Sequence, residues 1–157
     1  MILHLKHAAL GFLIPMLIFA VLLFIMAGMF INHYSASILK IDKTGSLFVN
    51  SIYYGKIYFA ITPNQQIQGL MNISNLSNGF VGMLFIFNNT KKHCFWMKNT
   101  ALYLHQYWLA NNTVIYAWNG TPYSMNVICN NGDEVLESPN LILMNGQKIS
   151  FTINNSS

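Results

Sequence analysis

Apolar positions form one long unbroken run near the N-terminus of the chain and many short runs after it. Residues 8–31 contain no charged side chain, and about 20 apolar residues in a helix are enough to cross a bilayer. A cleaved signal peptide is the alternative, but its apolar core is usually only about 7 to 15 residues long. We therefore predict that residues 1–31 form a short cytoplasmic tip and an uncleaved transmembrane helix.

After this predicted anchor, residues 32–45 form a polar stalk, and residues 46–157 form what we call the β domain. In the β domain, short apolar runs alternate with clusters of turn-forming residues. Ile57, Phe59 and Ile61 alternate with other positions, as in a half-buried strand. Many short strands at regular spacing predict a mainly β fold, specifically a compact antiparallel barrel or sandwich with one short helix.

The middle of the β domain contains its clearest strand and helix signals. Two apolar runs, Met83–Phe87 and Cys94–Met97, flank the polar residues 88–93 and predict two adjacent strands of an antiparallel hairpin. Residues 64–76 place their apolar side chains on one side of a helix. Further turns are predicted at Asn78-Gly79, Asn111-Asn112, Asn119-Gly120-Thr121-Pro122, Asn131-Gly132-Asp133 and Asn145-Gly146.

The charge of the chain is low and its cations are scattered. Charged residues make up 8% of the 157 residues, against about 25% in typical soluble domains. The net charge of +4 comes from eight lysines and four acids, without any arginine. Nucleic-acid binders usually cluster Lys and Arg on one face, whereas Lys91-Lys92 is the only adjacent pair here. We therefore predict no nucleic-acid partner.

Asparagine-linked glycosylation signals indicate which side of the membrane the β domain occupies. Lys6 precedes the predicted span and Lys40 and Lys43 follow it, so the balance of positive charge is nearly even. With 19 Asn and 18 Ser plus Thr, chance would give about two Asn-x-Ser/Thr sites. Such sites are modified only on the translocated side, so we predict N-linked glycans and a β domain outside the cell. The seven candidate sites are Asn72, Asn75, Asn88, Asn111, Asn119, Asn154 and Asn155.

The segment from Trp96 to Thr100 carries the clearest candidate for ligand binding. Trp96 offers an aromatic platform, Lys98 a charge, and Asn99 and Thr100 polar groups, which suits an anionic or sugar-like ligand. The alternative is structural, with Trp96 in the core and Asn99 and Thr100 closing a turn at the end of a strand.

The two cysteines, Cys94 and Cys129, are candidates for a disulfide, because thiols on the translocated side often pair. The alternative is two small buried residues. Together with His93, Met97 and His105 they raise the possibility of a copper site, since copper favours sulfur and imidazole ligands. However, successive strand residues point to opposite faces, so these ligands would have to converge from several elements. We predict no metal and no other cofactor.

The few acidic residues argue against an enzyme. Asp133 and Glu134 are expected to lie at a solvated hairpin turn. Glu134 and Glu137 are three residues apart, which places them on opposite faces of a strand, so they do not form a hydrolytic pair. The adjacent His93 and Cys94 likewise cannot form a dyad on one strand face. We predict no catalytic residues.

Four short motifs resemble those of domain of unknown function family 192. These are GLM at residues 69–71, GMLFIF at 82–87, FWMKNT at 95–100, and EVLE at 134–137 followed by Asn145-Gly146. The resemblance spans about residues 50–153 and implies a compact, mostly β domain that is often exported or membrane-tethered and whose biochemical role is unsettled.

The chain departs from this family's pattern at two positions. Members often carry Arg shortly after GLM, where this chain has Asn72, and many have Leu-Asp where Leu104-His105 stands here. A site formed by those charged residues in relatives would therefore differ in this chain.

These observations favour a non-catalytic accessory or structural subunit of a larger membrane complex, for example a respiratory or other energy-transducing assembly. Its partners would be the lipid bilayer and integral membrane subunits, which small residues on the span (Gly11, Ala20, Ala27 and Gly28) would let pack closely. The alternative is a membrane-tethered module that binds a small ligand or glycan near residues 96–100. Low charge and many glycosylation sites also suit an archaeal cell surface, in acid.

Overall fold

The computed structural model describes residues 18–23, 25–26, 43–77 and 79–154. Residues 18–23 and 25–26 are helical. Within the described residues, no helix combines the length and apolar character needed to cross a membrane. Most of the predicted span at 8–31, and of the predicted stalk at 32–45, lies outside the described residues. The chain divides into two compact units, Met1–Lys40 and Ile41–Ser157, and the second contains the β domain.

The second unit is mainly β, as predicted, with a seven-stranded sheet and one short helix among its described residues. Along the sheet the strand order is β5-β4-β6-β3-β2-β1-β7. The elements are β1 (Thr44–Val49), β2 (Ile52–Ala60), α1 (Pro63–Gln68), β3 (Phe80–Phe95), β4 (Leu104–Ala110), β5 (Thr113–Gly120), β6 (Ile128–Ser138) and β7 (Ile149–Asn154).

The sheet is mixed, so the prediction of a purely antiparallel fold was wrong at one pair. β2 and β3 run parallel, with Phe59 opposite Leu84, whereas the other pairs are antiparallel. A parallel pair requires a crossover connection rather than a tight turn. The segment from the end of β2 to Phe80, which contains α1, provides that crossover and covers one face of the sheet.

The edge strand β5 is hydrogen-bonded to the segment just before the other edge strand, β7. The Val114 N–H donates to the Gln147 carbonyl at 2.9 Å, and the Gly146 N–H donates to the Val114 carbonyl at 2.8 Å. These bonds pair edge groups that would otherwise be open to other chains. The apolar core contains residues from all seven strands and the segment before β7: Leu47, Val49, Ile57, Phe59, Leu84, Tyr107, Leu109, Val114, Leu136, Leu141, Leu143 and Ile149.

The predicted central hairpin does not exist, because the first apolar run and the start of the second, Cys94 and Phe95, belong to the single strand β3. Both halves pair with β6: Ile86 lies opposite Glu134 and Lys91 opposite Gly132. Between these two pairs β3 advances five residues and β6 only two, so residues 87–90 form a bulge. A bulge absorbs extra residues and bends a strand without reversing it. The polar break therefore marks a bulge and not a turn.

The turn predicted at Asn131-Gly132-Asp133 is also wrong, since β6 runs through these residues. A side chain at Gly132 would place its Cβ 2.8 Å from the Leu109 carbonyl oxygen. This glycine is therefore explained by the close approach of a neighbouring strand, a second common reason for glycine in a sheet.

The hairpin predicted at Asn111-Asn112 is confirmed between β4 and β5. Both residues have positive φ, 48° and 59°, as a two-residue turn of the kind favoured in hairpins requires. Asparagine tolerates this conformation better than most residues with side chains, so this turn is determined locally.

Helix α1 is shorter than the predicted segment 64–76. Thr62 caps it: its side chain accepts from the Gln65 N–H at 3.3 Å, and the Gln65 side chain accepts from the Thr62 N–H at 3.0 Å. Gly69, with φ of 48°, ends the helix after less than two turns. Ile67 is 73% exposed, so it does not belong to a buried helix face. The other apolar residues of the predicted helix follow Gly69 and lie in a loop.

Candidate functional site

The face of the sheet opposite the apolar core carries an aromatic and polar layer built by β3, β4 and β6. Because side chains alternate along a strand, Phe85 and Phe95 lie on this face while Leu84 enters the core. The Phe85 and Phe95 rings meet edge to face at 4.8 Å, and Phe95 meets Trp108 in the same way at 5.7 Å. Such pairs stabilise a layer beyond simple burial.

A cavity of 260 Å³ lies between this layer and the chain around α1. We call it the Glu137 cavity. Gly69 ends α1 directly above it, and a Cβ at Gly69 would lie 3.2 Å from the Phe85 ring and 4.0 Å from Glu137 Oε2. The lining residues are Pro63, Gln66–Met71, Phe85, Phe87, His93–Trp96, Thr100 and Glu137.

Glu137 is a buried acid with a single polar partner among the described residues. It is 4% exposed and lies opposite Gln106 in the β4–β6 pair. Gln106 Nε2 donates to Glu137 Oε1 at 2.6 Å. Burial raises the pKa of Glu137 to about 7, and the hydrogen bond from Gln106 opposes this rise. Gln106 Oε1 is buried with no hydrogen-bond partner among the described residues, so this polar pair is only half satisfied.

The bulge in β3 forms a second side of the cavity. Phe87 and His93 stack there, with ring centroids 3.5 Å apart. Burial lowers the pKa of the His93 imidazole, a hydrogen bond to the Asn89 carbonyl opposes this, and nearby Lys91 lowers it further. Lys91 itself lines an adjoining hollow of 340 Å³ on the far side of the stack. His93 therefore contributes an aromatic surface to this wall, and its burial favours the uncharged imidazole.

The four residues proposed from sequence as a ligand site are only partly brought together. Trp96 is 39% exposed and lines the Glu137 cavity, as does Thr100, which is buried. Lys98 instead lies with its Nζ 5.0 Å from the centre of the Trp96 ring. Asn99, with φ of 53°, forms a turn whose carbonyl accepts from the Asn72 N–H at 2.8 Å. The fully buried tryptophan of the domain is Trp108.

Cys94 and Cys129 lie opposite each other on β3 and β6 and form a disulfide, with their Cα atoms 4.0 Å apart. Neither sulfur is then a thiolate ligand. The described residues contain no group of three or more His, Cys, Asp or Glu side chains placed to hold a metal ion.

The solvated hairpin expected at Asp133 and Glu134 is wrong. Glu134 is only 9% exposed, and burial, together with the charge of Asp133, raises its pKa to about 7. Asp133 Oδ2 accepts from the Asn111 N–H at 3.2 Å, and the Asn112 side-chain amide can donate to Glu134. These two acids therefore brace the β4–β5 turn, away from the Glu137 cavity.

The candidate glycosylation sites lie at the surface wherever they are described. Asn155 lies outside the described residues. Six acceptor asparagines are exposed: Asn72, Asn75, Asn88, Asn111, Asn119 and Asn154. The Asn119 side-chain oxygen lies 2.7 Å from His105 Nδ1.

Sequence reasoning considered Glu137 only as a catalytic acid and rejected it, and it missed the partner Gln106. The position of Glu137 could have identified it, because it directly follows Val135 and Leu136, two residues typical of a buried strand. Burial of a carboxyl in such a run costs free energy unless the carboxyl is paired. The bulge also concealed the approach of Phe87 to His93.

The four motifs noted in the sequence converge on the Glu137 cavity. GLM provides Gly69 to Met71, GMLFIF provides Phe85 and Phe87, FWMKNT provides Phe95, Trp96 and Thr100, and EVLE provides Glu137. The two departures, Asn72 and His105, are not among the described residues that line it.

Comparisons with known proteins agree on the fold. A family model described as uncharacterized ACR matches residues 49–145, more than half of the chain. A solved structure of a proposed transcription regulator from Sinorhizobium meliloti is 26% identical, with a TM-score of 0.59, over 69% of this chain and 92% of that one. A protein of unknown function from Novosphingobium aromaticivorans is 23% identical, also with a TM-score of 0.59, over 68% and 83%. No curated protein matches the chain.

Proposed function

The chain belongs to domain of unknown function family 192, and we propose that its β domain is a binding module that takes a small ligand into the Glu137 cavity. One observation carries the proposal: four motifs far apart in sequence line a single cavity that holds an exposed tryptophan and a buried carboxyl. Concave, largely apolar sites with a few polar groups are the usual form of small-molecule sites.

The half-satisfied polar pair adds to this argument. A buried amide oxygen without a partner costs stability, and Gln106 Oε1 is such an atom. Glu137 Oε1 accepts from Gln106, and the second oxygen of Glu137 would gain from a hydrogen-bonding ligand in the cavity that Glu137 lines. Trp96, at the wall, offers a flat apolar surface at little cost in conformational freedom. A ligand with an apolar body and one polar group would suit this combination.

We also propose that residues 8–31 tether the module to the membrane, with the β domain outside and glycosylated. The apolar length of this segment and the six exposed acceptor asparagines support this arrangement. Glycosidase treatment of the native protein should increase its mobility on denaturing gels. An unchanged mobility would contradict the glycosylated, outside location.

Ligand-detected NMR of the full chain in detergent tests the binding proposal. The library should contain amines, alcohols, carboxylic acids and monosaccharides. We expect at least one compound class to bind wild type and to lose binding in Trp96→Ala. The matched control is Tyr54→Ala, which removes another aromatic side chain, 49% exposed, that does not line the cavity. Equal binding by both variants, or no binding at all, would contradict the proposal.

A second candidate function is that of an accessory subunit docked on integral membrane proteins. It is favoured by large apolar side chains that are exposed near the β1–β2 turn and in the segment before β7: Ile52 is 67% exposed, Ile142 75% and Met144 70%. The Asn50 N–H donates to the Lys148 carbonyl at 2.9 Å, which joins the β1–β2 turn to the segment before β7. Exposed apolar patches of this kind often mark protein interfaces.

Mild-detergent purification from native membranes, with mass spectrometry of the proteins that travel with the chain, tests this second candidate. Replacing Ile52, Ile142 and Met144 with Ser should release the partners, whereas Trp96→Ala should retain them. A wild-type protein that purifies alone would exclude the accessory role.

A further inference from the structure

The Glu137 cavity presents a carboxyl with no cation to balance it. Among the described residues that line the cavity, none is Lys, and the chain contains no arginine. His93 is the titratable base among these lining residues, and burial lowers its pKa, which disfavours its charged form. Two lysines lie near the residues that line the cavity, but neither lines it. Lys98 lies over the Trp96 ring, and Lys91 lines the adjoining hollow. A buried carboxyl without a cation must either keep a proton or receive a positive charge from a bound molecule.

The walls around this carboxyl are aromatic. Phe85, Phe87, Phe95 and Trp96 all line the cavity, and Phe85 and Phe95 are in edge-to-face contact. Aromatic rings attract cations through the negative charge of their faces, and tryptophan does so most strongly. Trp96 already holds the Lys98 ammonium at 5.0 Å on one side, so its environment tolerates a positive charge.

This combination selects among ligand classes. An anion would meet an uncompensated carboxyl and electron-rich rings, and a hard metal ion would lack the several oxygen ligands that it requires. A neutral polar molecule could form a hydrogen bond with Glu137 but would not balance its charge. An organic cation would satisfy the carboxyl and the rings together.

We propose that the Glu137 cavity binds an organic ammonium ion, with its charge against the Glu137 carboxylate and its alkyl groups against Phe85, Phe87, Phe95 and Trp96. This inference rests on the proposed binding function and specifies the chemical class of its ligand.

Isothermal titration calorimetry of the full chain in detergent, with pairs of ligands that match in shape, tests this inference. The pairs are choline with 3,3-dimethylbutan-1-ol and benzylamine with benzyl alcohol, measured at about pH 8, where Glu137 is ionised. We expect the charged member of at least one pair to bind about tenfold more tightly than its neutral partner. Glu137→Gln should abolish this preference, because it removes the carboxylate charge and keeps the shape of the side chain.

Trp96→Ala provides a second variant that does not depend on a buried substitution, because Trp96 is partly exposed. It should weaken the charged member more than the neutral one. Preferential or equal binding of the neutral members would overturn the ammonium inference while leaving a binding site. If neither pair binds but the NMR library yields ligands sensitive to Trp96→Ala, the ammonium inference fails and the proposed binding function stands. If the library also yields no such ligand, the proposed binding function fails as well.

Discussion

Glu137 makes the stability of the β domain depend on pH in an unusual direction. Its pKa is raised from 4.5 to about 7 in the folded domain. Between about pH 4.5 and 7, the folded state therefore keeps a proton that the unfolded state releases. Stability from this group is fully present below pH 4.5, falls as the pH rises through this window, and levels off above 7.

The expected size of the effect follows from the shift. Each pKa unit corresponds to about 1.4 kcal/mol, so Glu137 should cost about 3 kcal/mol of unfolding free energy at pH 8 relative to pH 4. Glu134, with its pKa also raised, acts in the same direction. His93, with a lowered pKa, acts in the opposite direction below about pH 6.5.

The Glu137→Gln variant isolates this contribution, because glutamine keeps the shape and an oxygen that accepts from Gln106. Its side-chain amide cannot ionise, and it can donate a hydrogen bond. Relative to wild type, the variant should gain about 3 kcal/mol between pH 4 and pH 8. Urea unfolding of the full chain, followed by tryptophan fluorescence at several pH values, measures this difference.

Glu134→Gln is the control, since the Glu134 side chain points to the opposite face of β6 from Glu137 and braces the β4–β5 turn. This variant should keep the part of the pH dependence that comes from Glu137. The effects of the two substitutions on the free energy of unfolding should add. Wild type and Glu137→Gln with parallel stability curves from pH 4 to 8 would refute the reasoning, because Glu137 would then not be desolvated.

Three further substitutions test the packing. Trp108→Ala should cost about 3 to 5 kcal/mol because the side chain is fully buried, whereas Trp96→Ala should cost less than about 1 kcal/mol; thermal unfolding compares them, and equal costs would contradict the assignment of Trp108 as the core tryptophan. Replacing Cys94 and Cys129 together with Ser should cost about 3 to 4 kcal/mol, because the bridge closes a loop with a sequence separation of 35; an unchanged urea midpoint would argue against the bridge. Thr62→Ala should cost about 1 kcal/mol through loss of the α1 cap, and Thr62→Ser, which keeps the hydroxyl, should restore most of it.

Features fixed by a few neighbouring residues could be predicted from the sequence. Two asparagines in succession specify the turn between β4 and β5, since few other residues tolerate positive φ twice in a row. Alternation at Ile57 and Phe59 identified the core face of β2, and both side chains are fully buried. These signals do not depend on distant parts of the chain.

Features fixed by distant strands could not be predicted in this way. Residues 88–93 have the composition of a turn, but β6 pairs with β3 on both sides of them and holds the chain in one direction. Gly132 looks like a turn glycine and is explained by the carbonyl of Leu109 on a strand that precedes it by some twenty residues. Such contacts appear only once the strand order is known.

The site was predicted in part for the same reason. Trp96 and Thr100 were singled out by local composition, and both line the cavity. Glu137 was rejected as a catalytic acid because its spacing from Glu134 along β6 ruled out a carboxylate pair. That argument does not consider the side chains that β3 and β4 place on the same face of the sheet. Its significance comes from Gln106 beside it and Gly69 above it.

Fluorine NMR of the full chain labelled with 5-fluorotryptophan tests the central claim most directly. The three tryptophans, at 96, 108 and 118, give three signals that Trp→Phe variants assign. Titration with benzylamine and with benzyl alcohol should move the Trp96 signal in a saturable manner and leave that of Trp118 in place, because only Trp96 of the two lines the Glu137 cavity. Equal shifts at Trp96 and Trp118, or a Trp96 signal that neither these compounds nor any member of the ligand library moves, would contradict a ligand site in this cavity.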